Sequence, residues 1–395
     1  MQASTSFGGT AERNQQVRLP GPAPSAHNIT LVYKRVVRFN DDALTILSSD
    51  YTENAQLSGL RLFVDHFIQH EYLKQLQREM RDRVQEAVGE SGAFKTVDIV
   101  VSGAPTHDGR AIVPGILAMA AVARQLSEVL YAIPPYLDEV VAIILDSMYR
   151  FTTQCELIFD DVLGGHVSDD VLRAVSDSKY GIPSQLDADI ERMLLGRELF
   201  KENIVSDIKR LSLVASLSDG LHWLADELTT LFCRGVSRRP VPRGHRHKPS
   251  TVSGISGTST GTNSIIQETS GSWVSDNIAQ AVNDMRKLSR HCIIALSVEF
   301  RCHCVYYINE LKKGLYFTED VASEPDSFIT DLNRDISLGE ERLAALLPHS
   351  SVRNVFSSLG RMVCRAMVST ARSITRINAN GYDLITASSR FLMLL

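Results

Sequence analysis

No apolar run in this chain reaches the roughly 20 residues that a membrane-spanning helix needs. The best candidates, Ile112 to Ala123 and Val140 to Leu145, fall well short. Any membrane contact is therefore expected to be peripheral or indirect. Cysteine is sparse as well: Cys155, Cys233, Cys292, Cys302, Cys304 and Cys364 lie irregularly along 395 residues. That is unlike a disulfide-dense secreted domain and predicts a reduced, cytoplasmic thiol set. The opening MQASTSFGGTAERNQQ lacks the apolar core of a secretory signal. One-sided charge is also missing, since a net charge of −5 at this length argues against coating nucleic acid.

What the chain does have is helical periodicity. From Trp273 to Gly314 an apolar stripe runs through Ile278, Val282, Met285, Leu288, Ile293, Leu296, Phe300, Cys304, Tyr307 and Leu311. Arg286, Lys287, Arg290, Glu299, Arg301, Glu310 and Lys312 are expected on the opposite, polar side. This predicts one amphipathic helix of about 40 residues, about 60 Å long. A second stripe, Leu57, Leu60, Val64, Phe67, Ile68, Tyr72, Leu76, Met80, Val84 and Val88, stops at Gly89. Further helices are expected over 112–131, 135–161, near 185–195, 200–217 and 218–233, then over 325–347 and 351–379. Val97 to Val101 is compatible with a short strand, although no partner strand is in view.

No fixed-length repeat is visible. Successive helices with short connections imply antiparallel neighbours. The expected fold is therefore all-α, an elongated rod of stacked antiparallel helical bundles. Residues 1–27 are polar and read as disordered. Residues 28–233 and 273–395 read as two helical modules, joined by a linker over 234–272. That linker begins with Arg234, Arg238, Arg239, Arg243, Arg246 and Lys248 and contains no acidic residue among them. These six cations are candidates for contact with an anionic surface, at about 1 kcal/mol per charge for a lipid leaflet. No aromatic residue occurs from Gly235 to Ser272, which speaks against single-stranded nucleic acid as the partner. A solvated linker is the other reading of the same residues.

Catalytic and metal-binding patterns are lacking. His66 and His70 stand four apart, but no glutamate follows the first histidine and no third ligand is in view. In Cys302-His303-Cys304 neighbouring side chains point about 100° apart on a helix, so the three cannot converge. The glycines near 254–261 lack the Lys-Ser/Thr ending of a phosphate loop. No catalytic residue and no cofactor are expected.

Several segments resemble the exocyst complex component 4 family. They are Asp108-Gly109-Arg110-Ala111-Ile112-Val113-Pro114-Gly115-Ile116-Leu117-Ala118, the tract from Leu211 to Leu224 around Trp223, Glu299 to Tyr307, and Leu332-Asn333-Arg334-Asp335-Ile336-Ser337 with Glu340 and Glu341. Phe356 to Gly360 and Ile377 to Gly381 follow in the family's order. The resemblance implies a non-enzymatic subunit of an octameric complex that holds secretory vesicles at the plasma membrane before fusion. Its implied partners are the other exocyst subunits, with small GTPases and anionic lipid mostly indirect, and no nucleic acid. It also implies a cytoplasmic protein recruited peripherally to the plasma membrane or vesicles. Two departures imply a partial chain: the family's N-terminal coiled-coil portion is not found, and Phe391 to Leu395 fall inside an apolar helical pattern. The alternative from the residues alone is a peripheral membrane-binding helical module that uses the basic linker.

Overall fold

The computed structural model describes residues 25–47, 55–89, 94, 110, 112–164, 166, 170–172, 183–195, 197–233, 262–313, 316, 324–374 and 376–392. Among the described residues all regular structure is helical. In chain order the helices are α1 (Asn28–Leu47), α2 (Ala55–Phe67), α3 (Leu73–Gly89), α4 (Pro114–Ala132), α5 (Leu137–Leu163), α6 (Pro183–Leu195), α7 (Ile208–Leu228), α8 (Thr262–Lys312), α9 (Ser327–Leu346), α10 (His349–Phe356), α11 (Leu359–Ser373) and α12 (Ala379–Leu392). No single described helix is long and apolar enough to cross a membrane. The segment Val97 to Val101, read above as a possible strand, lies outside the described residues.

Local chemistry sets the helix ends. Pro114 occupies the first turn of α4, where a missing N–H costs nothing. Asp138 and Glu139 sit in the first turn of α5, next to its positive dipole end. Asp207 caps α7 by accepting from the Lys209 amide at 2.9 Å, and Asp326 caps α9 through the Phe328 amide at 2.9 Å. A single π-turn, Ile68–Tyr72, links α2 to α3 and shifts the phase of their apolar stripe.

The chain divides into two compact units, residues 1–75 and 76–395. In the first, α1 packs on α2, burying Tyr33 and Val64. In the second, α8 is the central helix, in contact with α5, α6, α7, α9, α10 and α11. Because neighbours surround it, α8 is buried all round over much of its C-terminal half. Glu299 and Arg301, expected on a polar side, are both fully buried. The amphipathic reading was wrong there because periodicity records where apolar residues fall, not how many helices close in.

Three helix boundaries also differ from expectation. α8 has 51 residues and begins at Thr262, ahead of Trp273. The segments expected as two helices over 200–233 form one helix, α7, closed by a π-turn at Thr229–Cys233. The stretch 351–379 is broken at Ser357-Ser358 and again at Ile374. Residues 218–220, expected to begin the second of the two helices over 200–233, lie inside α7, where Ser218, Asp219 and Gly220 are buried. A Cβ on Gly220 would come within 2.9 Å of the Ile116 side chain on α4.

Candidate functional site

The densest polar chemistry in the second unit lies along one stretch of α8. Arg301 donates from Nη2 to Asp187 Oδ1 on α6 at 2.9 Å and to the Ser357 carbonyl at 2.8 Å. Its Nη1 donates to the Ser297 carbonyl at 2.9 Å and also meets Ser297 Oγ. Burial pulls the guanidinium's pKa down, while the carboxylates of Asp187 and Glu191 oppose the shift. Ser358 Oγ donates to Asp187 Oδ2 at 2.8 Å, and Ser297 Oγ donates to the Val355 carbonyl at 2.9 Å. One turn along α6, the buried Glu191 accepts from Arg361 Nε at 3.2 Å and Arg365 Nη1 at 2.5 Å. The break between α10 and α11 is thus held by a guanidinium from α8 and a carboxylate from α6. Ser358 adopts φ 63° there, a left-handed conformation uncommon for a residue with a Cβ.

Further along, Glu299 Oε1 accepts from the Val205 amide at 2.5 Å, and His303 Nε2 donates to the Val205 carbonyl at 3.1 Å. The same imidazole nitrogen is 3.6 Å from Glu299 Oε1, and His303 Nδ1 is 3.8 Å from Asp335 Oδ2 on α9. Tyr307 donates to Asp335 Oδ2 at 2.6 Å. Burial raises the Asp335 pKa, but His303, Tyr307 and Arg334 outweigh it and hold the carboxyl below its ordinary value. Burial and Asp335 together push the Tyr307 hydroxyl up.

These groups tie α6, α8, α9, α10 and α11 to one another. Burial raises the thiols of Cys302 and Cys304, the latter to about 12, so neither is a ready thiolate at neutral pH. Cys302, His303 and Cys304 are all buried. Among the described residues no three His, Cys, Asp or Glu side chains are grouped as a metal's ligands would be. His66 and His70 are exposed and lie beside each other, ring centroids 4.3 Å apart and planes tilted by 48°. Arg234, Arg238, Arg239, Arg243, Arg246 and Lys248 lie outside the described residues, as do His245 and His247.

The first unit has a different feature. Val32, Phe39 and Ile46 recur every seven residues on α1 and face solvent, Phe39 63% and Ile46 72% exposed. The next residue along in each of the first two cases, Tyr33 and Asn40, is buried, about 100° round the same helix. On α2, Leu62 and Phe63 are exposed as well. Ion pairs flank the face, Arg38 with Asp42 at 3.8 Å and Arg61 with Asp41 at 3.6 Å. A seven-residue apolar repeat is the spacing one helix presents to another. Sequence reading recorded α1 as helical but missed this face, whose signal was the coexistence of two apolar stripes on one helix.

No protein-family model matches the chain. Curated proteins do. It is 23% identical to "Exocyst complex component 4" of Dictyostelium discoideum, with 90% of this chain and 37% of that protein aligned. It is 24% identical to "Exocyst complex component SEC8" of Arabidopsis thaliana, over 90% of this chain and 34% of that protein. With the Homo sapiens "Exocyst complex component 4" the identity is 21%, over 91% of this chain and 39% of that protein. The chain therefore spans little more than a third of the length of the curated relatives it matches.

Proposed function

We propose, from its similarity over nine tenths of its length to exocyst complex component 4 proteins, that this chain works as a non-enzymatic subunit of an exocyst complex. In this reading it tethers secretory vesicles to the plasma membrane before fusion through contacts with other exocyst subunits. It is cytoplasmic and recruited peripherally, and small GTPases and anionic lipid reach it mostly through its partners.

The observation that carries the protein-contact part of this reading is the exposed seven-residue apolar repeat of Val32, Phe39 and Ile46 on α1. Apolar side chains grouped on a surface mark an interaction site more often than scattered ones do. The buried polar locks of α8 suit the same role, since an element that transmits contact forces needs fixed helix neighbours and no open catalytic cleft.

The test is recovery of sister subunits from cells with the tagged protein. Replacing Phe39 and Ile46 together by aspartate should lower recovery at least about fivefold while thermal melting stays within a few degrees, because both side chains face solvent. Equal recovery of sister subunits by the wild type and the double variant would remove the α1 face from the proposal. Failure of the wild type to recover any sister subunit would defeat the function itself.

A further inference from the structure

Within the second unit a groove of about 290 Å³ runs along the seam between α5 and α8. Met148, Thr152 and Leu288 are buried beneath it, and Tyr149 and His291 form its sides. Glu156 and Asp284 stand on its rim, and Asp160 lies one turn beyond Glu156 on α5. Tyr149 is 73% exposed and Leu157, next to Glu156 in the chain, is 55% exposed.

The lining is acidic on balance, with Glu156 and Asp284 against the single cation Lys287, and Asp160 close by. Burial, Asp160 and Asp284 all raise the Glu156 pKa, so three carboxylates share one neighbourhood. Lys287 pairs with Asp284 at 2.7 Å, and among the described residues no cation forms an ion pair with Glu156 or Asp160. A cation arriving beside them would relieve that repulsion. The volume sits at the lower edge of the roughly 300–1,000 Å³ typical of small-molecule pockets. It suits one long side chain better than a cofactor. Tyr149 and Leu157 extend the apolar contact beyond the groove, which a polypeptide can use and a small cation cannot.

We propose that this groove docks a basic segment of a partner protein, with an arginine or lysine among Glu156, Asp160 and Asp284 and an apolar side chain against Tyr149 and Leu157. The reading is independent of the exocyst assignment and of the α1 face. Charge complementarity at the rim would select and steer the basic segment, and apolar contact with Tyr149 would anchor it.

The test uses the full chain and a fluorescein-labelled helical peptide with leucine and arginine on adjacent turns, followed by fluorescence anisotropy. Binding is expected to weaken about tenfold or more with Glu156→Arg, and also with Tyr149→Ser. The charge-swapped peptide, arginine to glutamate, should bind Glu156→Arg better than it binds the wild type. Both substitutions are at exposed positions, and matching melting curves will confirm that the variants fold. The proposal is overturned by no binding, or by binding insensitive to both variants. Equal displacement by spermidine would identify a small-cation site instead and overturn it too. So would binding that emerges only when residues 234–248 are deleted, because the occupant would then be internal.

Discussion

Arg301 shows how much one side chain can organise in this chain. Its guanidinium reaches α6, the α10–α11 break and its own helix from a fully buried position. Arg301→Met keeps the length but leaves Asp187 and the Ser357 carbonyl without their donor. Breaking a buried ion pair on one side typically costs about 3–5 kcal/mol. Asp187 keeps some solvent contact, so a loss of about 3 kcal/mol or slightly less is expected in urea unfolding. A loss below about 1 kcal/mol would mean that the pair is dispensable. Asp335 gives a pH signature. Its carboxyl titrates below the ordinary value in the folded protein, so it adds stability above the unfolded-state pKa of about 3.9. That contribution is lost as pH falls through the lower folded value. The stability difference between the wild type and Asp335→Asn should therefore be constant above about pH 5 and shrink below about pH 4. Acid titrations of the two proteins that run parallel through that range would contradict the assignment.

At the scale of elements, the apolar stripes fixed where most helices lie but not which faces are covered. The buried residues of α7, such as Leu217, Leu221, Leu224 and Leu228, recur at helical spacing. The burial of Glu299 and Arg301 does not follow from spacing, because it depends on α6, α9, α10 and α11 closing around α8. Nor was the break at Ser357-Ser358 legible, since what holds it are Asp187, far back in the chain, and Arg301. A glycine on α9 shows the same dependence on distant residues. Gly339 lies against the Phe300 ring of α8, and a Cβ there would overlap it. Gly339→Ala, favourable for an isolated helix by about 1 kcal/mol, should here destabilise by about 1–3 kcal/mol. Adding Phe300→Leu should recover part of that loss. A Gly339→Ala variant more stable than the wild type in denaturant titration would show that α8 and α9 are not packed this closely.

For the molecule as a whole, four of the segments that resemble the exocyst family meet in pairs. Arg110, in the first of them, pairs with the buried Asp219 of the second at 3.2 Å. Tyr307, at the end of the third, donates to Asp335 of the fourth. Two of the resembling segments' polar residues thus meet partners in another such segment, although nothing in the linear chain said which segment pairs with which. The α1 face and the α5–α8 groove escaped sequence reading for the opposite reason. Each is defined by what remains uncovered after packing, and composition does not report that.

The connection between α7 and α8 has a practical corollary. Ser218 and Ser289 exchange reciprocal hydrogen bonds of 2.8 Å, and Arg286 reaches Asp226 at 2.7 Å. Val205 meets Glu299 at the other end, so the two helices run antiparallel and in close register. The cationic serine- and glycine-rich stretch between them then joins two strands of a clasp that is already fastened. A scission there should release neither piece, and separately expressed halves should find each other and reconstitute the whole.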